Sequence, residues 1–203
     1  MMVQTGVSGG NKGRGQSDEE LMAAFQQGDQ AGFAELIRRF KDPLTNFVFR
    51  ILGNREDCYD VVQDTFLRVF RSKHTYKPVA KFSTWVYTIA LNLARTEIRR
   101  KRFRSGLWLD RKKDGGENQF DPPDDGFQPD VLTDSTILDK RIQAALQRFD
   151  EKYRTVVILR DIQDLPYEEI AAITGANLGT VKSRINRGRT FLQEQLKDLL
   201  EKK

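Results

Sequence analysis

Apolar residues recur every three to four positions along most of this 203-residue chain, and the recurrence fails over one internal stretch. A period of 3.6 puts those residues on one face of a helix, whereas a half-buried strand alternates with a period of two. No convincing strand pattern is present, so the chain reads as all-α. Order begins at Ser17-Asp-Glu-Glu20, a capping-box pattern leading into Leu21, Met22 and Phe25. Gly28 closes that helix and Asp29 caps the next, with Phe33, Leu36, Ile37 and Phe40 on one face. Asp42-Pro43 reads as a fresh cap and first helical residue, followed by Leu44, Phe47, Val48, Ile51 and Leu52. A further helix over about 56–71 turns Val62, Phe66, Val69 and Phe70 inward, and a long one runs from about Ser83 to Arg102.

From Ser105 to about Thr133 the periodicity disappears. Gly115-Gly116, Pro122-Pro123 and Pro129 interrupt a polar run rich in aspartate. Helical patterning resumes near Asp134 with Ile137, Ile142, Leu146 and Phe149. The expected architecture is therefore two small helical domains, over 17–104 and 134–203, joined by a flexible acidic linker over 105–133. Residues 1–16, with five glycines and little to bury, read as a flexible tail rather than a secretory signal.

Composition narrows the chemistry. Cys58 is the only cysteine and His74 the only histidine, which argues against a disulfide, a metal site or a histidine-based triad. No cofactor is expected. The longest apolar run, Val156-Val-Ile-Leu159, is far short of the roughly 20 residues that cross a bilayer. A cytoplasmic protein without direct membrane insertion is expected. The net charge of +5 is mild, but its distribution is not. Arg95, Arg99, Arg100, Lys101, Arg102 and Arg104 face only Glu97 in the run 95–104, while the linker is acidic.

Residues 165–192 read as a helix-turn-helix. Ile170, Ala171 and Ile173 line a supporting helix, with Pro166 in its first turn. Gly175 supplies the turn and Asn177 caps the second helix. Val181 and Ile185 face inward there, which leaves Lys182, Ser183, Arg184, Asn186, Arg187 and Arg189 outward, with Thr180 near the helix start. Four cations without a carboxylate over 178–191 make a phosphate-contacting surface, and Arg, Lys, Ser and Asn can reach base edges. Gly188 is out of place, since glycine inside a helix costs about 1 kcal/mol relative to alanine.

The N-terminal half carries a different constellation. Asp57, Asp60 and Asp64 form a stripe at helical spacing, which in isolation reads as a solvated face. Tyr76, Lys77, Phe82, Trp85 and Tyr87 precede the arginine run, with Phe82 and Trp85 at least partly core. Together, aromatics and cations suit unpaired bases, because stacking contributes roughly 1–3 kcal/mol per base and needs no duplex. Asn92, two turns beyond Trp85, offers both a donor and an acceptor to a flipped base, and Thr88 and Thr96 lie near the same face. At this level three readings stay open: a promoter-opening factor, an autonomous helix-turn-helix regulator, and a nucleic-acid-processing enzyme. The last rests only on the aspartate stripe.

Three motifs in register favour the first. Asp60-Val-Val-Gln-Asp-Thr-Phe66, Phe82-Ser-Thr-Trp-Val-Tyr-Thr-Ile-Ala-Leu-Asn-Leu-Ala94 and Leu165–Arg189 resemble bacterial sigma factors of the extracytoplasmic-function (ECF) group. The resemblance covers about 18–104 and 135–198. It implies that Asp57, Asp60, Gln63, Asp64 and Phe66 grip the clamp helices of the RNA polymerase beta-prime subunit. It implies that Tyr76, Lys77, Trp85, Thr88, Asn92, Arg95, Thr96, Arg99 and Arg100 hold the minus-ten element. It assigns Thr180, Lys182, Ser183, Arg184, Asn186, Arg187 and Arg189 to the minus-thirty-five element, and the C-terminal domain to the beta flap. A stress-response role and control by an anti-sigma factor are expected, and no catalytic residue is implied. Promoter elements two helical turns apart lie roughly 70 Å from each other, a gap that a linker of about 30 residues, reaching roughly 100 Å, can span. The chain departs from the pattern at Pro166, where many relatives cap with serine, and in loop 76–81, which lacks a glycine.

Overall fold

The computed structural model describes residues 15–104 and 134–197. The linker expectation over 105–133, and the tail expectation over residues 1–14, lie outside the described residues. Among the described residues there is no strand. Four helices form the N-terminal half: α1 (Asp18–Gln26), α2 (Gln30–Leu52), α3 (Arg55–Arg71) and α4 (Phe82–Arg104), with a 3-10 turn at Lys73–Thr75. The C-terminal half contains α5 (Asp134–Gln147), α6 (Glu151–Val157), a π-helical turn (Ile158–Ile162), α7 (Tyr167–Thr174) and α8 (Leu178–Gln195).

Local chemistry sets most helix starts. The Ser17 hydroxyl accepts from the Glu20 amide at 3.2 Å, and the Glu20 carboxylate accepts from the Ser17 amide at 2.7 Å. This satisfies two donors that the first turn leaves unpaired. Asn54 and Asn177 cap α3 and α8 in the same manner, through Asp57 and Thr180 amides. α4 is capped from outside its own sequence, for the Glu19 carboxylate on α1 accepts from the Phe82 amide at 2.9 Å.

Two expectations are corrected here. Asp42-Pro43 does not begin a new helix: α2 runs unbroken through Pro43. A proline inside a helix removes one backbone bond and costs about 3 kcal/mol or more. Phe40, Leu44, Phe47 and Val48 all lie on the buried face to either side of it, so continuous apolar burial carries the helix through the break. Phe70 is not inward either. It is 48% exposed, although its ring still packs 5.4 Å from Phe25 and 5.5 Å from Phe33.

The two halves are docked. α4 packs on α7, and α2 packs on α5 and on the π turn. One continuous apolar cluster extends from Met22, Phe25 and Phe47 to Leu159 and Ile170. Each such side chain contributes roughly 1.5–3 kcal/mol on full burial. Polar groups reinforce the seam where α2 ends. Gln143 donates to the Phe49 carbonyl at 3.2 Å, and Gln147 donates to the Arg50 carbonyl at 3.0 Å. Arg154 in α6, buried and lowered to about 10 chiefly by that burial, donates in turn to Gln147.

Candidate nucleic-acid and partner interfaces

The helix-turn-helix forms from the residues expected. Pro166 is the N-cap of α7, one position before the helix, with extended backbone (φ −62°, ψ 152°) and no side-chain cap. Glu168 and Glu169 in the first turn supply the negative charge that the helix start favours. Gly175 ends α7 at φ +69°, a left-handed conformation that costs glycine nothing. Gly188 also finds its reason. A Cβ there would meet Val157 Cγ2 at 2.5 Å, so glycine lets α8 lie directly against α6.

That contact sets which side of α8 faces out. Val181 and Ile185 are fully buried and Gly188 is buried beside them. Lys182, Ser183, Asn186, Arg187 and Arg189 are exposed, with Thr180 and Arg184 half-buried. The Ser183 hydroxyl donates to the Thr180 carbonyl at 3.0 Å. Among the described residues Lys182, Arg184 and Arg187 have no carboxylate partner. Arg189 is different: its guanidinium forks onto Asp161 of the π turn, with Nε at 3.0 Å from Oδ2 and Nη2 on Oδ1.

The residues expected to hold bases on α4 are brought together only in part. Trp85, Asn92 and Thr96 share one side of the helix, with Thr88 beside them; Asn92 is exposed and the other three are half-buried. The Thr88 and Thr96 hydroxyls both donate back into the helix, to the Thr84 and Asn92 carbonyls. Tyr76 is buried, and its hydroxyl donates to the Ala80 carbonyl at 2.9 Å. Its ring lies 5.2 Å from Trp85 and 6.0 Å from Phe82. In this arrangement Tyr76 braces the loop instead of offering a face to a base. Burial, then Glu19 and Asp18, hold its phenol above the usual range. Gln26 fixes the loop's approach by donating to the Lys73 and Tyr76 carbonyls at 2.7 and 3.0 Å. Ties at both ends thus do the work of the missing glycine. Lys77 is left exposed, as is Val79, whose 92% exposure no sequence signal suggested.

The arginine run is largely paired. Arg95 meets Glu151 of α6 at 2.7 Å, and Glu97 takes both Arg104 at 2.6 Å and Arg100 at 3.6 Å. Lys101 pairs with Asp57 across to α3. Arg99 has no carboxylate partner among the described residues and donates to the Thr96 hydroxyl at 3.1 Å. A groove of about 1020 Å³ separates α3 from α4. Asp57, Asp60, Gln63 and Asp64 line one wall, and Thr96, Arg99, Arg100 and Phe103 the other.

On α3, Asp60, Gln63 and Asp64 are exposed, while Phe66 is buried and supports the helix from below. Leu67, 41% exposed, and Phe70 continue the exposed stripe. Sequence reading overlooked Leu67; its position at i+3 from Asp64 was the available signal.

The docked C-terminal half also reaches the start of α4. Glu169 accepts from Lys81 Nζ at 2.6 Å, Ser83 Oγ at 3.3 Å and Thr84 Oγ1 at 3.4 Å. The Tyr87 hydroxyl donates to Gln163 at 2.7 Å. None of these contacts between the halves was foreseen.

The described residues thus hold a helix-turn-helix with unpaired outward cations and a second helix that carries aromatics and arginines. The Sigma-70 region 2 family matches residues 36–104 and the Sigma-70, region 4 family matches residues 139–192. The ECF RNA polymerase sigma factor SigW of Bacillus subtilis is 36% identical over 177 residues, spanning 86% of this chain and 94% of that protein. The ECF RNA polymerase sigma-E factor of Haemophilus influenzae is 30% identical over 189 residues, spanning 91% and 97%. Of solved structures, CnrH in complex with the cytosolic domain of CnrY shares the fold at a TM-score of 0.68 and 24% identity, over 90% of this chain and 99% of that one. The chain belongs to the ECF RNA polymerase sigma factors.

Proposed function

We propose that this protein is a dissociable sigma subunit. It binds core RNA polymerase, directs it to a subset of promoters and promotes melting at the minus-ten element. The observation that carries the reading is the contrast on one chain between α8, with unpaired cations facing outward, and α4, with Trp85, Asn92 and Thr96 on one side. The first suits a duplex major groove and the second suits flipped single-stranded bases.

Lys182, Ser183, Arg184, Asn186 and Arg187, with Thr180, read the minus-thirty-five element. Trp85, Thr88, Asn92, Thr96 and Arg99 take the minus-ten strand, with Lys77 beside them. Arg95 and Arg100 join once they leave Glu151 and Glu97, and Tyr76 keeps the loop in place. Asp57, Asp60, Gln63 and Asp64 dock the beta-prime clamp helices, with Leu67 extending the contact and Phe66 beneath it, and the C-terminal half meets the beta flap. The protein performs no catalysis, holds no cofactor and acts in the cytoplasm, where the polymerase and its promoters are. Among the described residues no helix is long and apolar enough to cross a membrane. An anti-sigma factor holds the protein in check: of structures that share its fold, the sigma factor RpoE of Bartonella quintana is bound to the anti-sigma factor NepR, and CnrH to the cytosolic domain of CnrY. Release of that inhibitor under stress sets when the protein acts.

The test is a titration of the chain into core polymerase with a promoter library, following transcript start sites. A new, reproducible set of start sites is expected. Tight duplex binding by the chain alone, with start sites unchanged, would make it an autonomous regulator instead.

A further inference from the structure

Adjacent residues of the π turn point to different helices of the helix-turn-helix. Arg160 donates to the Leu165 carbonyl at 3.0 Å, lies 3.3 Å from the Asp164 carboxylate and sits 5.3 Å over the Tyr167 ring. It therefore folds the connection into α7, where Asp164 adopts φ +51°. Asp161 turns to α8 and takes the Arg189 guanidinium on both oxygens. Gly188, the residue immediately before Arg189, admits Val157 to its backbone. Close approach and fork together fix both the distance and the roll of α8 against α6. A bidentate guanidinium–carboxylate pair is the strong, geometrically specific form of ion pair.

We infer that Asp161 is a positioning residue for promoter recognition: it holds Arg189 out of the DNA contact and so orients α8 for Lys182, Asn186 and Arg187. This deepens the proposed minus-thirty-five reading and rests on it. Arg189 then differs in kind from Arg187. Both are exposed cations on one helix, yet only Arg187 is free for a phosphate or a base.

The physical signature is the count of neutralised phosphates. Each one steepens the fall of log K with log salt by about 0.9 on duplex DNA. The full chain is titrated against a labelled random-sequence duplex of about 30 base pairs, between about 50 and 200 mM salt. Asp161→Asn releases Arg189 and should steepen the slope by about one, whereas Arg189→Gln should leave it where the wild type has it. The double variant should match Arg189→Gln. Melting temperatures of the same four proteins form a cycle that involves no DNA, and the double variant should melt no lower than the less stable single variant.

If the losses in melting temperature simply add, the fork is absent and the inference fails. If Arg189→Gln flattens the slope by about one, Arg189 is a phosphate contact and the inference also fails. Should Asp161→Asn not fold, the slope of Arg189→Gln still decides whether Arg189 is a phosphate contact. A wild-type chain with a coupled pair but no salt-dependent duplex binding contradicts the assignment of α8 to DNA, a separate failure that the cycle makes visible.

Discussion

α4 and α8 both carry runs of positive charge, yet most of it on α4 is paired with carboxylates and most of it on α8 is not. On α8, Lys182, Arg184 and Arg187 face no carboxylate among the described residues, and only Arg189 is tied back. On α4, Arg95, Arg100, Lys101 and Arg104 are paired with Glu151, Glu97 and Asp57. A duplex-reading helix can therefore be ready-made, because its target is rigid and needs only complementary charge and shape. A surface for unpaired bases presented ready-made would attract any nucleic acid. On the surface proposed for unpaired bases, most cations of α4 are paired with the protein's own acids, and the other half contributes Glu151 on Arg95 and Glu169 on Lys81 just before the helix.

The sharpest way to break this contrast is on α8. Arg187→Ala should weaken minus-thirty-five binding by about 1–3 kcal/mol if Arg187 reads a base, measured as the affinity difference between matched and mismatched sites. A much smaller, sequence-uniform loss makes it a phosphate contact and narrows the difference from α4. Gly188→Ala should come next. The added methyl must displace Val157, a cost of about 1–3 kcal/mol, against a gain of about 1 kcal/mol in helix propensity. A lowered melting temperature is expected, and an unchanged or raised one would mean that α8 does not need its close approach. Asn92→Ala should alter base preference at minus-ten by about 0.5–1.5 kcal/mol, one hydrogen bond's worth, and leave minus-thirty-five binding intact; a selection over randomised minus-ten sequences reads it. The smallest effect belongs to Glu169→Gln. Its partner Lys81 is largely exposed, so solvent screens the pair and it adds little to the docked state. A slightly lower melting temperature is the expected sign that docking has loosened.

Much of this architecture is written locally. The capping box at Ser17, the cap at Asn177, the turn at Gly175 and the inward stripe of α8 all follow from neighbours within four positions. Pro43 misled because the competing influence, burial of Phe40 and Leu44 on one face, depends on what packs there. The ion pairs were invisible for a similar reason. Arg95 and Glu151 stand 56 residues apart, Lys81 and Glu169 stand 88 apart, and no periodicity links them. Tyr76 shows the same limit within a loop: its aromatic character was plain, but only Gln26 and Ala80 determine that it turns inward. Sequence proposed both candidate surfaces. It did not reveal which of their charges were already taken.

Interdomain distance during initiation tests the contrast most directly. Labels at Arg71→Cys and Glu194→Cys, both exposed positions, report the separation of the halves by energy transfer while transcripts are followed in the same sample. A short distance is expected for the free chain. It should lengthen towards the roughly 70 Å that separates sites two helical turns apart when polymerase opens a promoter. New transcripts appearing while that distance stays at its free value would contradict the account, because Arg95 and Lys81 would then stay paired with Glu151 and Glu169 of the other half throughout.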